Sequence, residues 1–316
     1  MIHVLYCGIN SGFKIVQKAL ADKAKVVYAS EEKSDVAEKL KKADVYFAAS
    51  LKVPIDEKVL IHAKNLKLIV TATTNIDHID TESLKKKNIS FLSLKDDRAF
   101  LNTTTSTAEL AWLLLMACAR KLSSAIAHTR DGGWDRDEMA GMMLRDRKLG
   151  VIGVGRLGTW MCVYAKAFGM EVCGYDSNPV LWPEGVEKAS MDRLLKSSDF
   201  ITLHVAPCKD AYHMIGRKEF SNMKKGVILI NTSRGEIIDE VALLEAMNSG
   251  KVAAAGMDVL DGESDGNLDK HLLIEYSRKN HNLIITPHIG GAAPEALDKV
   301  LVFVANKIIK YFEIAI

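Results

Sequence analysis

An apolar run, a glycine-rich turn and a helical segment follow one another between residues 149 and 168, and that order leaves few folds open. Leu149–Ile152 reads as a strand. Gly153-Val154-Gly155-Arg156-Leu157-Gly158 follows it, and Thr159–Phe168 continues as a helix. In this context the first glycine permits a tight turn, the second lets backbone approach a ligand, and the third lets the helix pack on the strand. A helix starting there aims N–H groups and a positive dipole end at the turn, which suits a pyrophosphate. Arg156 adds a cation within the loop. The next strand, Glu171–Tyr175, runs into Asp176, 18 residues past Gly158. A carboxylate there accepts hydrogen bonds from ribose hydroxyls and repels a phosphate, so the expected cofactor is NAD and not NADP. Before Ser177-Asn178-Pro179, Asp176 also has a purely local reading as a turn residue.

The same rhythm extends along the chain. Ile2–Cys7, Lys25–Ala29, Val45–Ala49, Leu66–Thr71 and Asn88–Leu94 read as strands, with helices at Phe13–Lys23 and Ser34–Lys42. Phe200–His204, Val227–Asn231, Ala253–Asp258 and Leu283–Thr286 bring the second series to six strands. Strands that are apolar throughout and separated by helices predict parallel sheets covered on both faces, an α/β fold of two doubly wound domains. A length of 316 residues suits two domains. One long helix is expected from Thr103, capped by the Thr/Ser run to Thr107, and a last one over Ala293–Phe312. With 42 basic and 40 acidic side chains, the charge gives no reason to expect a nucleic-acid or membrane partner. The most apolar stretch, Leu110–Ala119, is far short of the roughly 20 residues that span a bilayer. The N-terminus lacks the features of a signal peptide, and the five cysteines form no close pair. A cytoplasmic protein with reduced thiols is expected.

Three segments at strand ends carry chemical side chains: Asn231-Thr232-Ser233-Arg234-Gly235, Asp258 to Glu263, and Thr286-Pro287-His288-Ile289-Gly290-Gly291. Ligands bind at the carboxyl ends of strands in such sheets, so Arg234, Glu263 and His288 can converge. Arg pairs with a carboxylate and polarises the adjacent carbonyl. His exchanges a hydroxyl proton, and Glu fixes its tautomer and raises its pKa. Taken singly, each has a plainer reading: a surface cation, a solvated acid, a helix-capping His.

Together these segments resemble the NAD-dependent D-isomer-specific 2-hydroxyacid dehydrogenases over nearly the whole chain. The family's glycine turn is similar to Gly153–Gly158, its Asn-x-x-Arg-Gly segment to Asn231–Gly235, its Asp-Val-x-x-x-Glu segment to Asp258–Glu263 and its Pro-His-x-Gly-Gly segment to Pro287–Gly291. Its Thr-Ala-Glu helix start is similar to Thr107-Ala108-Glu109. The resemblance implies catalytic roles for Arg234, Glu263 and His288. It implies cofactor contacts at Thr107, Arg156, Leu157, Asp176, Val205, Thr232 and Asp258 besides the turn glycines, with Asp258 at the nicotinamide amide. It also implies a Rossmann cofactor domain, residues 101–286, inserted into a flavodoxin-like substrate domain of residues 1–100 and 287–316. Hinges near 100 and 287 would close the two on the acid. The partners implied are a 2-oxo or 2-hydroxy acid and a second copy of the chain, paired through Leu110 to Met143; no metal is called for.

Two departures bear on substrate. Where the family has Gly-x-Gly-x-Asp to hold the substrate carboxylate, this chain has Thr73-Thr74-Asn75-Ile76-Asp77. Thr74 and Asn75 are the expected substrate contacts, and Asn75 equally suits a turn residue. The family's Pro-x-Thr after the strand-end His is replaced by Ala206-Pro207-Cys208, which removes a hydroxyl. An NAD(H)-sensing, corepressor-like binding protein of the same fold, or a dehydrogenase of a small anion such as phosphite or formate, stays open beside the hydroxyacid enzyme.

Overall fold

The computed structural model describes residues 1–314 apart from 75, 77, 180, 181, 264, 265 and 267, so Asn75 lies outside the described residues. The chain forms two compact units, Met1–Thr104 with Ala293–Ile316, and Thr105–Ala292.

The first unit holds β1 (Ile2–Cys7), β2 (Ala24–Ala29), β3 (Val45–Ala48), β4 (Leu68–Thr71) and β5 (Ser90–Leu92), all parallel in the order β2-β1-β3-β4-β5. Successive strand residues face opposite sides, and both sides are apolar. Leu5, Cys7, Tyr46 and Ile69 enter one core, while Val4, Tyr6, Phe47 and Val70 enter the other. That second core receives the helix Pro294–Ile314 through Leu301, Val304, Ala305 and Ile308, one stripe of a 3.6-residue period. Phe303 stacks on Phe100 at 3.8 Å between centroids, and Lys307 donates to the Ser93 carbonyl at 2.8 Å. The helix expected over Phe13–Lys23 runs instead over Asn10–Ala19, so Asn10, Ser11 and Gly12 form its first turn. A Cβ on Gly12 would lie 2.2 Å from the Tyr6 hydroxyl, so glycine here serves close packing.

The second unit holds β6 (Lys148–Ile152), β7 (Glu171–Tyr175), β8 (Glu187–Lys188), β9 (Phe200–Leu203), β10 (Val227–Asn231), β11 (Val252–Met257) and β12 (Leu283–Ile285). All are parallel, in the order β12-β11-β10-β9-β6-β7-β8. The chain runs outward from β6 through β7 to β8, then crosses back to β9. The C-terminal ends of β6 and β9 therefore form the switch point where such sheets take their ligands. Strand β8 is two charged residues long and carries no apolar signal. The second unit extends to Ala292, not 286, because the carboxylate of Asp258 binds the N–H groups of Ile289 and Gly290.

The one long helix expected from Thr103 is two pieces, Ser106–Ala119 and Leu122–Arg130, parted by Lys121 at φ 50°, and a short helix Arg98–Leu101 precedes them. Ser106–Ala119 is apolar on nearly all sides because it is buried inside the second unit, against β10, β11 and the helix Arg156–Ala167. Among the described residues no single helix is long and apolar enough to cross a membrane. Cys7, Cys118, Cys162 and Cys173 are buried free thiols, and Cys208 is exposed.

Gly256 of β11 lets that helix approach the sheet, since a Cβ there would sit 2.9 Å from Leu114 Cβ. Gly256→Ala should therefore destabilise the second unit by about 1–3 kcal/mol, the range for overpacking a filled core. Urea unfolding followed by tryptophan fluorescence measures this; an unchanged midpoint would show that the helix yields freely.

Candidate active site

The glycine turn leaves the end of β6 with Gly153 at φ 88°, a conformation that favours glycine. A Cβ on Gly153 would lie 2.6 Å from the His204 carbonyl, and one on Gly158 would lie 2.1 Å from the Gly153 carbonyl. These two glycines serve the chain's own packing. Gly155 differs: a Cβ there would meet no atom of the described residues within 4 Å. The turn thus keeps open space over the start of the Arg156–Ala167 helix, where no side chain caps the first N–H groups. Asp176 takes the Val154 N–H on one oxygen at 2.8 Å and the Asn178 N–H on the other at 2.9 Å. It is the brace between the glycine turn and the end of β7.

Two polar atoms nearby are buried without a partner among the described residues, His204 Nδ1 and Thr232 Oγ1, at the ends of adjacent strands β9 and β10. Buried polar atoms are nearly always satisfied, so a polar ligand at these strand ends would complete them. His204 shares its Nε2 with Thr202 Oγ1 at 2.8 Å, and burial pushes its pKa down to about 3, so the ring is neutral. Burial also holds the Arg156 guanidinium below its ordinary range. Open space at Gly155, a helix N-terminus without a side-chain cap and two buried polar atoms fit a dinucleotide. Gly153, Gly155, Arg156, Leu157, Gly158, Asp176 and Val205 meet around the end of β6, while Thr107 abuts Gly290, whose Cβ would lie 3.0 Å from Thr107 Cγ2.

Arg234, Glu263 and His288 follow β10, β11 and β12, neighbours in the sheet. Asn231, unmarked by the sequence as functional, shapes the first loop: its amide donates to the Arg234 carbonyl at 2.8 Å and accepts from the Ser233 N–H and hydroxyl. Gly235 then brings this loop onto the next, since a Cβ there would lie 2.0 Å from the Leu260 carbonyl carbon. Glu263 accepts from the Leu260 N–H at 3.2 Å and meets His288 Nδ1 at 2.5 Å. Burial works to raise the Glu263 carboxyl, but the His288 and Leu260 hydrogen bonds with the charges of His288 and Arg234 hold it below its ordinary value. His288 is raised by the hydrogen bond its Nδ1–H donates to Glu263, against burial and the Arg234 charge and with help from the charges of Glu263 and Asp258. Thr74 belongs to the other unit, exposed beyond β4.

A family model described as D-isomer specific 2-hydroxyacid dehydrogenase, NAD binding domain, matches residues 112–290. The chain belongs to that family. It is 36% identical over 300 residues to a hydroxypyruvate reductase of Thermotoga maritima, covering 94% of each chain. It is 37% identical to a glyoxylate reductase of Thermococcus litoralis, covering 81% of this chain and 77% of the relative. Among solved structures, a D-lactate dehydrogenase of Aquifex aeolicus, complexed with NAD and lactic acid, matches with a TM-score of 0.83. That likeness is 31% identical and covers 98% of this chain and 95% of the other. The protein is thus an NAD-dependent dehydrogenase of the 2-hydroxyacid class, built as two parallel-sheet domains.

The glycine geometry separates folding from binding. Gly155→Ala, at an ordinary negative φ and with room around it, should keep stability within about 0.5 kcal/mol, as surface substitutions do. It should weaken NADH binding in a fluorescence titration, because the added methyl takes the cradle's space. Full NADH affinity in this variant would mean the pyrophosphate lies elsewhere.

Proposed function

We propose that this enzyme interconverts a small 2-oxo acid and the matching D-2-hydroxy acid, with Arg234, Glu263 and His288 as its chemical groups. The Glu263–His288 pair, 2.5 Å apart with Arg234 acting on both, is the observation that carries this reading. NADH, when bound, supplies the hydride for the carbonyl carbon. Arg234 grips the substrate carboxylate through its planar guanidinium and polarises the neighbouring carbonyl. Glu263 occupies Nδ1 of His288 and leaves Nε2 to give its proton to the carbonyl oxygen. The N–H groups over Gly155–Gly158 cradle the pyrophosphate, Arg156 adds charge, and Asp176, Val205, Thr232 and Thr107 complete the cofactor site. Asp258 contributes by fixing the turn that carries His288. Thr74 and Asn75 are the substrate contacts proposed from the other unit. The relatives named for hydroxypyruvate and glyoxylate support a short-chain 2-oxo acid.

Reduction needs a protonated His288, so its rate should hold through neutral pH and fall as pH rises through the elevated imidazole pKa. Glu263→Gln keeps size and removes the charge, so the His288 pKa falls and this alkaline edge moves to lower pH. His288→Ala should lose roughly 10²–10⁴-fold in turnover, the worth of one positioned acid–base group. NADH oxidation against glyoxylate and hydroxypyruvate, followed across pH, tests both variants. Near-normal turnover with an unmoved edge in folded protein would overturn the mechanism.

We also place a homodimer contact on the segment from Leu110 to Met143. Trp134 is 92% exposed and Met143 68%, and Leu113, Leu122 and Ile126 are exposed with them. Apolar surface of this extent, clustered in one segment, is the composition of an interface. Sedimentation at micromolar concentration should give a dimer, and Trp134→Glu should weaken it; a strictly monomeric wild-type protein would refute the placement.

A further inference from the structure

Behind the loop that carries Glu263 lies a second carboxylate–imidazole pair. Glu240 opens the helix Glu240–Asn248 with its side chain 6% exposed, and its Oε2 lies 3.1 Å from His271 Nε2. Both groups converge on the main chain of one residue, Asp261, one at each of its two peptide units. Glu240 Oε1 accepts the Asp261 N–H at 3.0 Å, and His271 Nε2 lies 3.2 Å from the Asp261 carbonyl oxygen. His271 Nδ1 accepts the Leu273 N–H at 3.3 Å, capping the helix Leu272–Ser277. A ring nitrogen that accepts carries no proton, so the ring hydrogen sits on Nε2 and points into the pair. Gly235, on the Arg234 loop, presses on the same Leu260–Asp261 segment.

We infer that Glu240 and His271 are positioning residues, a buried clamp that fixes the Asp261 main chain and so sets Glu263 against His288 and Arg234. This rests on the proton relay proposed above. Glu263 is two residues past the clamped Asp261, and its other oxygen is tied at 3.2 Å to the N–H of Leu260, the residue just before Asp261. A rotation of the Asp261 main chain therefore carries the carboxylate with it. The remaining charged groups facing Glu240 are the Asp261 carboxylate and His213, which approach each other at 3.8 Å. Burial holds the Glu240 carboxyl above its ordinary range, against the pull of the Asp261 N–H and His271. Such a buried acid is costly, and its contacts all go to the loop of the relay and the helix cap beside it.

Glu240→Gln keeps an acceptor for the Asp261 N–H but sets an amide N–H against His271 Nε2–H. His271→Asn keeps a capping side chain for its helix and loses the reach to Glu240 and Asp261. Each should lower kcat for glyoxylate reduction about tenfold, with KM for NADH within about twofold, and should move the alkaline edge to lower pH. Added to Glu263→Gln, neither should move the edge further, because both act through Glu263. Circular dichroism and NADH titration establish folding; if Glu240→Gln fails to fold, His271→Asn carries the test. Wild-type kcat and edge in the folded variants would overturn the clamp, as would an edge shift that adds fully to that of Glu263→Gln. If Glu263→Gln alone leaves the edge in place, the relay fails and the clamp falls with it. If Glu263→Gln moves the edge and the clamp variants do not, only the clamp falls.

Discussion

The carboxylate of Asp258 is buried at the end of β11, and both of its oxygens are taken by the chain. The Thr286 hydroxyl donates at 2.5 Å, the Ile289 N–H at 2.9 Å and the Gly290 N–H at 2.8 Å. Its backbone is equally committed, giving its N–H to the Asn231 carbonyl and taking the His288 N–H, each at 2.9 Å. A buried carboxylate without partners would cost several kcal/mol. Satisfying it needs the 286–290 turn in place, so the unit closes with β10, β11 and β12 fastened at their ends. His288 pays for its place in that turn with φ 53°, a region few non-glycine residues adopt, at roughly 1–3 kcal/mol. Three donors on one carboxylate make the strain sustainable.

The same logic holds the other two chemical residues. Arg234 sits on a loop shaped by the Asn231 amide, and Glu263 on a loop pinned at Leu260 and Asp261. Gly235 makes these loops touch through backbone, where no side chain fits between them. Orientation in this site is thus set largely by main-chain contacts, while the chemical atoms stay part-exposed. His288 keeps 46% of its side-chain surface and Glu263 28%.

Much of this was legible in the sequence because it depends on period and composition. Strands buried on both faces must be apolar throughout, and strands separated by helices must be parallel, so both sheets could be read with small errors at their ends. Arg234, Glu263 and His288 were legible because each stands at a strand end in a segment with a family likeness. Strand β8 was not, since Glu187 and Lys188 pair with β7 through backbone alone. The break at Lys121 was not either, because lysine gives no warning of a left-handed conformation. Asp258 was read as a cofactor contact, and the number of donors on its oxygens appears only once the 286–290 turn folds back. Glu240 and His271 look like an ordinary helix start and an ordinary residue before a leucine pair; only the fold brings them to the main chain of Asp261.

The electrostatic balance at His288 follows from distance. Arg234 and burial both oppose a charged imidazole, while Glu263 and Asp258 favour it. The outcome is a raised pKa because the Glu263 contact is a short, charge-assisted hydrogen bond, roughly twice as strong as a neutral one. The guanidinium acts on the ring through space only, where part-exposure to water weakens it. Arg234 can thus lie close to the imidazole without stripping it of its charge. Neighbouring strands lie about 4.8 Å apart, so β10, β11 and β12 alone would place the three groups in an evenly spaced row. The loops after them, tightened by Asn231, Gly235 and Asp258, turn that row into a convergent set.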